Sequence, residues 1–229
     1  MLNTHLVIGG GEVGKAVAEV LECDIIDIDP ARCKGELGEG YEYMHICVPY
    51  TENFENIVAM YKSKINPRYI IIHSTVPVGL STKLGAIHSP VRGKHPHLTE
   101  SLRTFTKYFG GRNSDKVATE WPGGDTKCFP KAETTEALKL CDLLQYAVSI
   151  VVAKEIFEYC EKMELDYEDV YTEGNKNYNW GYKLLGNEEF TRPVLKHMPG
   201  KIGGHCVIQN IPKLDIPLVR YVIGKNNQL

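Results

Sequence analysis

The sequence has no apolar run long enough for a membrane: the longest, AVSIVVA at 147–153, falls far short of the roughly 20 residues that span a bilayer. It has no strong charge of either sign. A net charge of -3 gives no electrostatic footprint for nucleic acid or an anionic membrane surface, and neither partner is expected. It lacks a C-x-x-C pair and any repeated cysteine spacing, so its 7 cysteines read as reduced thiols of a cytoplasmic protein and not as a disulfide framework. No internal repeat or low-complexity tract occurs. The opening MLNTHLVIGG runs straight into a strand-like segment without the basic, apolar and small-residue pattern of a leader. What remains is a globular composition, 43% hydrophobic and 24% charged over 229 residues, enough chain for a large core.

The first informative stretch is THLVIGGGEVGKAVAEVL: an apolar strand, a glycine turn, then an amphipathic helix. Gly9, Gly11 and Gly14 form G-x-G-x-x-G, with Gly10 between the first two and Glu12 and Val13 opening the helix. The first glycine permits a tight turn, the second lets backbone approach a pyrophosphate, and the third lets helix pack on strand. The helix start adds its amides and the positive end of its dipole. A glycine triplet alone also fits a strand–turn–helix with no ligand. Here CDIIDIDP follows as a second strand ending in acids, which tips the reading toward a dinucleotide. Asp27 is the better acceptor for the adenosine ribose hydroxyls and Asp29 the next. An acid there repels a 2′-phosphate, so the expected cofactor is NAD and not NADP.

Further short strands are read in YMHICVP, RYIIIHS, KLGAIHSP and TKYFGG, with a helix in NFENIVAMYKSK, while 30–42 lacks a persuasive helix. The alternation predicts an α/β fold: a Rossmann-type, doubly wound, mostly parallel sheet. Ligands of such sheets lie beyond the carboxyl ends of the strands, which assigns Val48, Pro49, Tyr50, Ser74 and Thr75 to the nicotinamide side. From Glu133 to Met163 neither proline nor glycine interrupts an apolar repeat, predicting one helix of about 45 Å. That length favours the spine of a homodimer, although burial under its own domain explains the same stripe. Residues 1–130 are thus expected to bind NAD. Residues 131–229 are expected to form a long-helix domain with a small helical extension, a short helix around Tyr167 to Glu173, an irregular stretch from Gly174 through Cys206, and a last strand in VIGKNNQL. HPH at 95–97, with His88 and Cys128, matches no zinc spacing, and no metal is expected.

The loop KIGGHC, 201–206, places a thiol among glycines, with His205 and Lys201 beside it to favour a thiolate. A free cysteine packed as a small apolar side chain is the plainer alternative. Lys139 by itself reads as a solvated position on a helix. Arg92, Arg192, Lys196 and Lys201 fit either an anionic substrate or simple surface charge.

VIGGGEVG, HICVP, HSTVPVGLSTKLG, HSPVR, TTEALKL with AKEI, and KIGGHC occur in the order found in the UDP-glucose/GDP-mannose dehydrogenase family, of the 6-phosphogluconate dehydrogenase-like superfamily, and the chain resembles it over nearly its whole length. The resemblance implies NAD-dependent oxidation of a nucleotide-sugar alcohol through an aldehyde to a carboxylate. It implies Cys206 as the nucleophile that forms a thiohemiacetal and then a thioester, Lys139 as the oxyanion stabiliser, and Thr75 near the nicotinamide, holding a water or the substrate hydroxyl. Three positions depart. Val91 stands where the family has a glutamate used in thioester hydrolysis, Leu143 where it has an asparagine, and Asn210 where it has an acid; an amide orients water but takes no proton. The family's UDP-binding domain has no counterpart within these residues. Besides the trimmed dehydrogenase, two other readings stay open: an NAD-binding sensor without turnover, and a single-step hydroxy-acid dehydrogenase in which the lysine is the base and Cys206 a bystander.

Overall fold

The computed structural model describes residues 4–204 and 206–228. The chain divides into two compact units, Met1–Leu140 and Cys141–Leu229.

The first unit is the expected α/β sheet. Strand β1 (His5–Ile8) leads through the glycine turn into helix α1 (Glu12–Leu21) and back to β2 (Asp24–Ile26). There follow β3 (Tyr43–Ile46), α2 (Phe54–Ile65), β4 (Tyr69–Ile72), α3 (Leu80–Lys83), β5 (Ile87–His88), α4 (Leu98–Thr104), β6 (Lys107–Gly110), α5 (Ser114–Ala118) and β7 (Thr126–Phe129). The strand order is β2-β1-β3-β4-β5-β6-β7, parallel throughout except that β6 runs against β5. Strands β3 and β4 are buried at every residue, as continuous apolar strands of a sheet covered on both faces should be. One face packs Leu6, Ile8, Met44, Ile46, Ile72 and Phe54 together. The other packs Val7, Ile71, Phe109, Val17 and Trp121. Each such side chain contributes about 1.5–3 kcal/mol of burial free energy.

As the sequence implies, the β2–β3 crossover has no α-helix. A single 3₁₀ turn, Pro30–Arg32, fills it, and Lys34 bridges back to Ile25. Strand β7 was not foreseen in GGDTKCFP; it forms because β6 offers a free edge that its backbone pairs in parallel register from Thr126 to Phe129.

Helix α6 (Ala132–Met163) runs 32 residues, as the missing Pro and Gly predict. Its first turns belong to the first unit and the rest to the second. The short helix read around Tyr167 to Glu173 is a π-helix, Glu168–Glu173, and it continues into α7 (Gly174–Leu184), where the sequence predicts irregular chain. Segment α7 buries no residue, so it carries no apolar stripe to announce it. The last strand read in VIGKNNQL is likewise a helix, α8 (Pro217–Gln228). Its β-branched residues mislead locally, but Val219, Val222 and Asn226 share a buried face at helical spacing. Val219 and Val222 pack with Leu144, Ala147, Val151, Ile202 and Ile211. Among the described residues no helix is long and apolar enough to cross a membrane, and none of the seven cysteines forms a disulfide.

Candidate functional site

The order β2-β1-β3 puts the topological switch point between β1 and β3, so the crevice opens beyond their carboxyl ends, beside Gly9–Gly11 and Val48–Tyr50. Gly9 sits at φ +104°, where a Cβ would lie 2.9 Å from the Cys47 carbonyl carbon. At Gly10 a Cβ would come within 2.5 Å of the Arg32 carbonyl oxygen, and at Gly14 it would collide with the Gly9 carbonyl. Gly11 differs: it has an extended φ of -71°, and a Cβ there would meet nothing within 4 Å. Three glycines are therefore required by the protein's own packing, and the fourth leaves open space above the start of α1.

Asp27 ends β2 beside this turn. Its carboxylate accepts the Gly10 N–H at 2.5 Å and the Asp29 N–H at 2.8 Å. Partial burial alone would raise its pKa. The amides of Asp29 and Gly10 and the charge of Arg32 outweigh that and hold it below the ordinary aspartate value. Each carboxylate oxygen has two lone pairs, so both keep capacity for a ribose hydroxyl. Asp29, the second expected acid, instead caps the 3₁₀ turn through the Ala31 N–H at 3.0 Å and pairs with Arg32 at 3.3 Å. Glu12 is exposed at the start of α1 and pairs with His95 at 2.6 Å, and Val13 packs partly buried against the core.

Ser74 fixes the neighbouring strand ends together: its hydroxyl donates to the Val48 carbonyl at 2.6 Å. The carbonyl of Ser74 faces His88 Nε2 at 3.3 Å, and His88 Nδ1 meets the Thr135 hydroxyl at 2.9 Å. Burial drops the His88 pKa to about 3, so the ring is a neutral strut. Pro49 and Tyr50 are exposed and Thr75 half-buried. Lys139, at the first unit's end of α6, donates to the Val91 carbonyl at 2.9 Å. The lysine and the residue in the family's glutamate position therefore do meet, but what the lysine finds there is a backbone carbonyl, and the Val91 side chain is buried in the core.

A residue that motif reading passed over ties this region together. Glu136 is fully buried, and its carboxylate accepts the Gly79 N–H at 2.6 Å and the Ser81 N–H at 2.8 Å. It anchors the end of STVPVG to the helix that carries Lys139. The sequence hint was its place inside TTEALKL, on the helix face between Thr135 and Leu140.

In the second unit Cys206 is exposed, following Gly203 and Gly204, where an added Cβ would meet nothing within 4 Å. His205 lies outside the described residues. The loop is clamped from both sides. The buried Lys154 ammonium donates to the carbonyls of Met198 and Gly200, and the Ile202 N–H donates to Asn226 at 2.6 Å. Asn210 does sit beside Cys206, but its amide is committed: Nδ2 donates to the Cys206 carbonyl at 2.7 Å and Oδ1 accepts from Lys213 at 2.7 Å. Leu143 is packed in the apolar cluster of this unit. Of the cations considered for a substrate, Arg92 stacks on Tyr108 at 4.5 Å and Arg192 on Tyr178 at 3.6 Å, while Lys196 and Lys201 are exposed. Among the described residues no three His, Cys, Asp or Glu side chains gather to hold a metal.

No family model matches the sequence, and no curated protein matches it. Solved structures do. The chain superposes on a UDP-D-ManNAc dehydrogenase from Pyrococcus horikoshii with TM-score 0.75 at 17% identity, over 98% of this chain and 68% of that one. The chain shares the fold of that protein, the Rossmann-type α/β sheet its sequence predicts. A GDP-mannose dehydrogenase from Pseudomonas aeruginosa gives TM-score 0.66 at 14% identity, over 98% of this chain and 68% of that one. The 3-hydroxyisobutyrate dehydrogenase of Mycobacterium tuberculosis, solved with L-serine, gives TM-score 0.66 at 16% identity over 100% of this chain and 94% of its own. The shared fold thus extends over both units.

Proposed function

We propose that the protein is an NAD-dependent dehydrogenase acting on a CH–OH group of a sugar-type or small hydroxy-acid substrate. The observation that carries this is the contrast among the four glycines: Gly9, Gly10 and Gly14 are filled against protein, and Gly11 alone borders open space at a helix N-terminus. That space fits a pyrophosphate, and Asp27 with its remaining acceptor capacity fits unphosphorylated ribose hydroxyls, which favours NAD over NADP. NAD, when bound, accepts hydride from the alcohol carbon. The chain's own residues bind and orient it: the amides at the start of α1 and Asp27 hold the dinucleotide end, and Ser74 fixes the strand ends that carry Val48 and Thr75. Lys139 supplies a positive charge for the oxygen that loses its proton.

Val91 in place of a carboxylate and the committed amide of Asn210 supply no base for thioester hydrolysis at either position. This supports a reaction that stops at one oxidation, or a thioester on Cys206 that clears slowly. Coverage of nearly the whole 3-hydroxyisobutyrate dehydrogenase supports the single-step form, with Cys206 outside the chemistry. Exposed Tyr146, Val152, Tyr159 and Met163 on α6 support a homodimer spine.

The test is NADH absorbance with NAD and a panel of nucleotide sugars and hydroxy acids, run on wild type, Lys139→Ala and Cys206→Ala. Turnover lost in Lys139→Ala but kept in Cys206→Ala establishes the single-step form. Turnover lost in both, with an acyl adduct on wild type by intact mass, establishes the covalent one. No turnover with NAD binding intact converts the protein to a sensor.

A further inference from the structure

The first unit encloses a cavity of about 740 Å³ that the dehydrogenase reading does not use. Its floor is where β4 and β5 begin, at Tyr69–Ile70 and Ala86–Ile87. Both strands run parallel to β1 and β3, whose carboxyl ends face the crevice, so the cavity and the crevice lie at opposite ends of the sheet. Close packing builds its wall. Gly110 ends β6, and a Cβ there would come within 2.5 Å of the Thr135 hydroxyl and 2.8 Å of the Lys131 carbonyl oxygen. Only glycine lets the first turn of α6 lie against β6 in this way. Gly111 then turns the chain at φ +122°. Arg112 and Asn113, just after β6, therefore line the same cavity as Lys131, just before α6, although they are distant in sequence.

The polar groups of this wall are cationic and uncommitted. Arg68, Arg112 and Lys131 stand against a single acid among the lining residues, Glu133. Arg68 is engaged with Glu42 at 2.9 Å. Arg112, Lys131 and the side-chain amide of Asn113 differ, for among the described residues none of the three has a hydrogen-bond or ion-pair partner. Solvation alone accounts for a lone lysine on a convex surface. It does not account for two unpaired cations and an amide sharing one concavity, where like charges repel and each gives up part of its water.

We propose that this cavity binds a phosphorylated sugar, either free or as a nucleoside monophosphate. A phosphoryl group brings about two negative charges at neutral pH and three strong acceptor oxygens. The planar fork of Arg112 suits two of those oxygens, Lys131 adds a point charge, and Asn113 adds a neutral N–H donor. Glu133 opposes the phosphoryl group but suits a sugar hydroxyl, which donates to a carboxylate. Inorganic phosphate alone would leave most of the space unfilled, whereas the volume is that of a pocket for a whole small molecule, about 300–1,000 Å³. Nothing in this site requires a dinucleotide in the crevice, so it stands or falls apart from the dehydrogenase reading.

The test titrates the full chain, without NAD, with ribose 5-phosphate, AMP and inorganic phosphate, and follows backbone amides by 1H–15N NMR. Location separates the two sites: this cavity is read at Gly111–Asn113 and Lys131–Glu133, the crevice at Gly10–Val13. The expected result is that ribose 5-phosphate or AMP shifts the first set with a Kd below about 1 mM, about tenfold or more tighter than inorganic phosphate. A response to AMP alone assigns the nucleotide, and a response to both assigns the sugar phosphate they share. The double variant Arg112→Ala/Lys131→Ala, at exposed positions, should weaken this binding about tenfold or more and leave thermal unfolding unchanged. Arg112→Lys, which keeps the charge and removes only the fork, should weaken it severalfold and gives a second reading if the double variant does not fold. Shifts confined to Gly10–Val13, no shift by about 10 mM ligand, or inorganic phosphate bound as tightly as the sugar phosphates would overturn the proposal. Unchanged affinity in the variants would overturn it as well.

Discussion

Replacing Glu136 is the perturbation whose cost is best defined by the structure. Its carboxylate is fully buried and accepts two backbone N–H groups, at 2.6 and 2.8 Å, with no cation in salt-bridge contact among the described residues. Gly79 at φ +94° and Ser81 cannot turn these N–H groups toward water without unwinding α3. In Glu136→Ala both donors are orphaned in a dry site. Each charge-assisted bond is worth about 1.5–3 kcal/mol, and the two share one acceptor, so about 3–5 kcal/mol is expected, not their full sum. For a domain of this size that is a fall of about 6–20 °C in Tm. Glu136→Gln keeps one acceptor but turns an amide N–H on the other donor, so it should lie between, near 2 kcal/mol. Urea unfolding followed by circular dichroism measures all three proteins. A Glu136→Ala variant within about 1 kcal/mol of wild type would refute the reasoning, since it would show that the STVPVG turn does not depend on this carboxylate.

Gly11→Ala should leave stability within about 0.5 kcal/mol yet weaken NAD about tenfold or more, whereas Gly10→Ala, with its Cβ against Arg32, should lose stability as well; calorimetric titration beside thermal melts separates the two. Asp27 has a folded pKa below its unfolded one, so its contribution is present above about pH 4 and is lost as pH falls through the folded value. Asp27→Asn should therefore flatten the acid limb of a stability–pH profile. The depressed imidazoles of His45 and His73 likewise contribute stability that is complete above about pH 6.5 and lost as pH falls below it, up to about 1.4 kcal/mol per pH unit per ring. Urea midpoints at pH 7 and pH 5 should differ more for wild type than for His45→Gln.

What could be read in the sequence was what lies close together along it. The turn from β1 to α1, the acid at the end of β2 and the uninterrupted α6 are local patterns, and each is where the residues put it. Segment α7 could not be read, because GNKNYNWGYKL has poor helix formers and no buried side, and it is helical as the continuation of the π-turn before it. VIGKNNQL invited a strand through Val and Ile, when the deciding signal was three buried positions, the last a polar Asn226 that accepts the Ile202 N–H. Contacts set by strand register were out of reach altogether. Nothing along the chain says that His5, His45 and His73 share a face until β1, β3 and β4 are aligned, and nothing marks Lys107 as buried until β6 turns antiparallel to β5.

The departures in the motif positions acquire a physical meaning from the same contacts. Val91 is not a carboxylate deleted from an otherwise unchanged site. Its side chain is core, and its carbonyl accepts from Lys139 Nζ, which places the lysine. Asn210 is likewise built in, holding the Cys206 carbonyl with one end of its amide and Lys213 with the other. An aspartate there could still accept from Lys213 but would face the Cys206 carbonyl with a like partial charge, so restoring the acid by Asn210→Asp would open the loop it is meant to serve. Each unit has thus been fitted around its replacement residue. On the proposed dehydrogenase reading, Lys139 still offers a positive charge while Val91 and Asn210 are committed to structure and take no proton from water, which supports oxidation without hydrolysis.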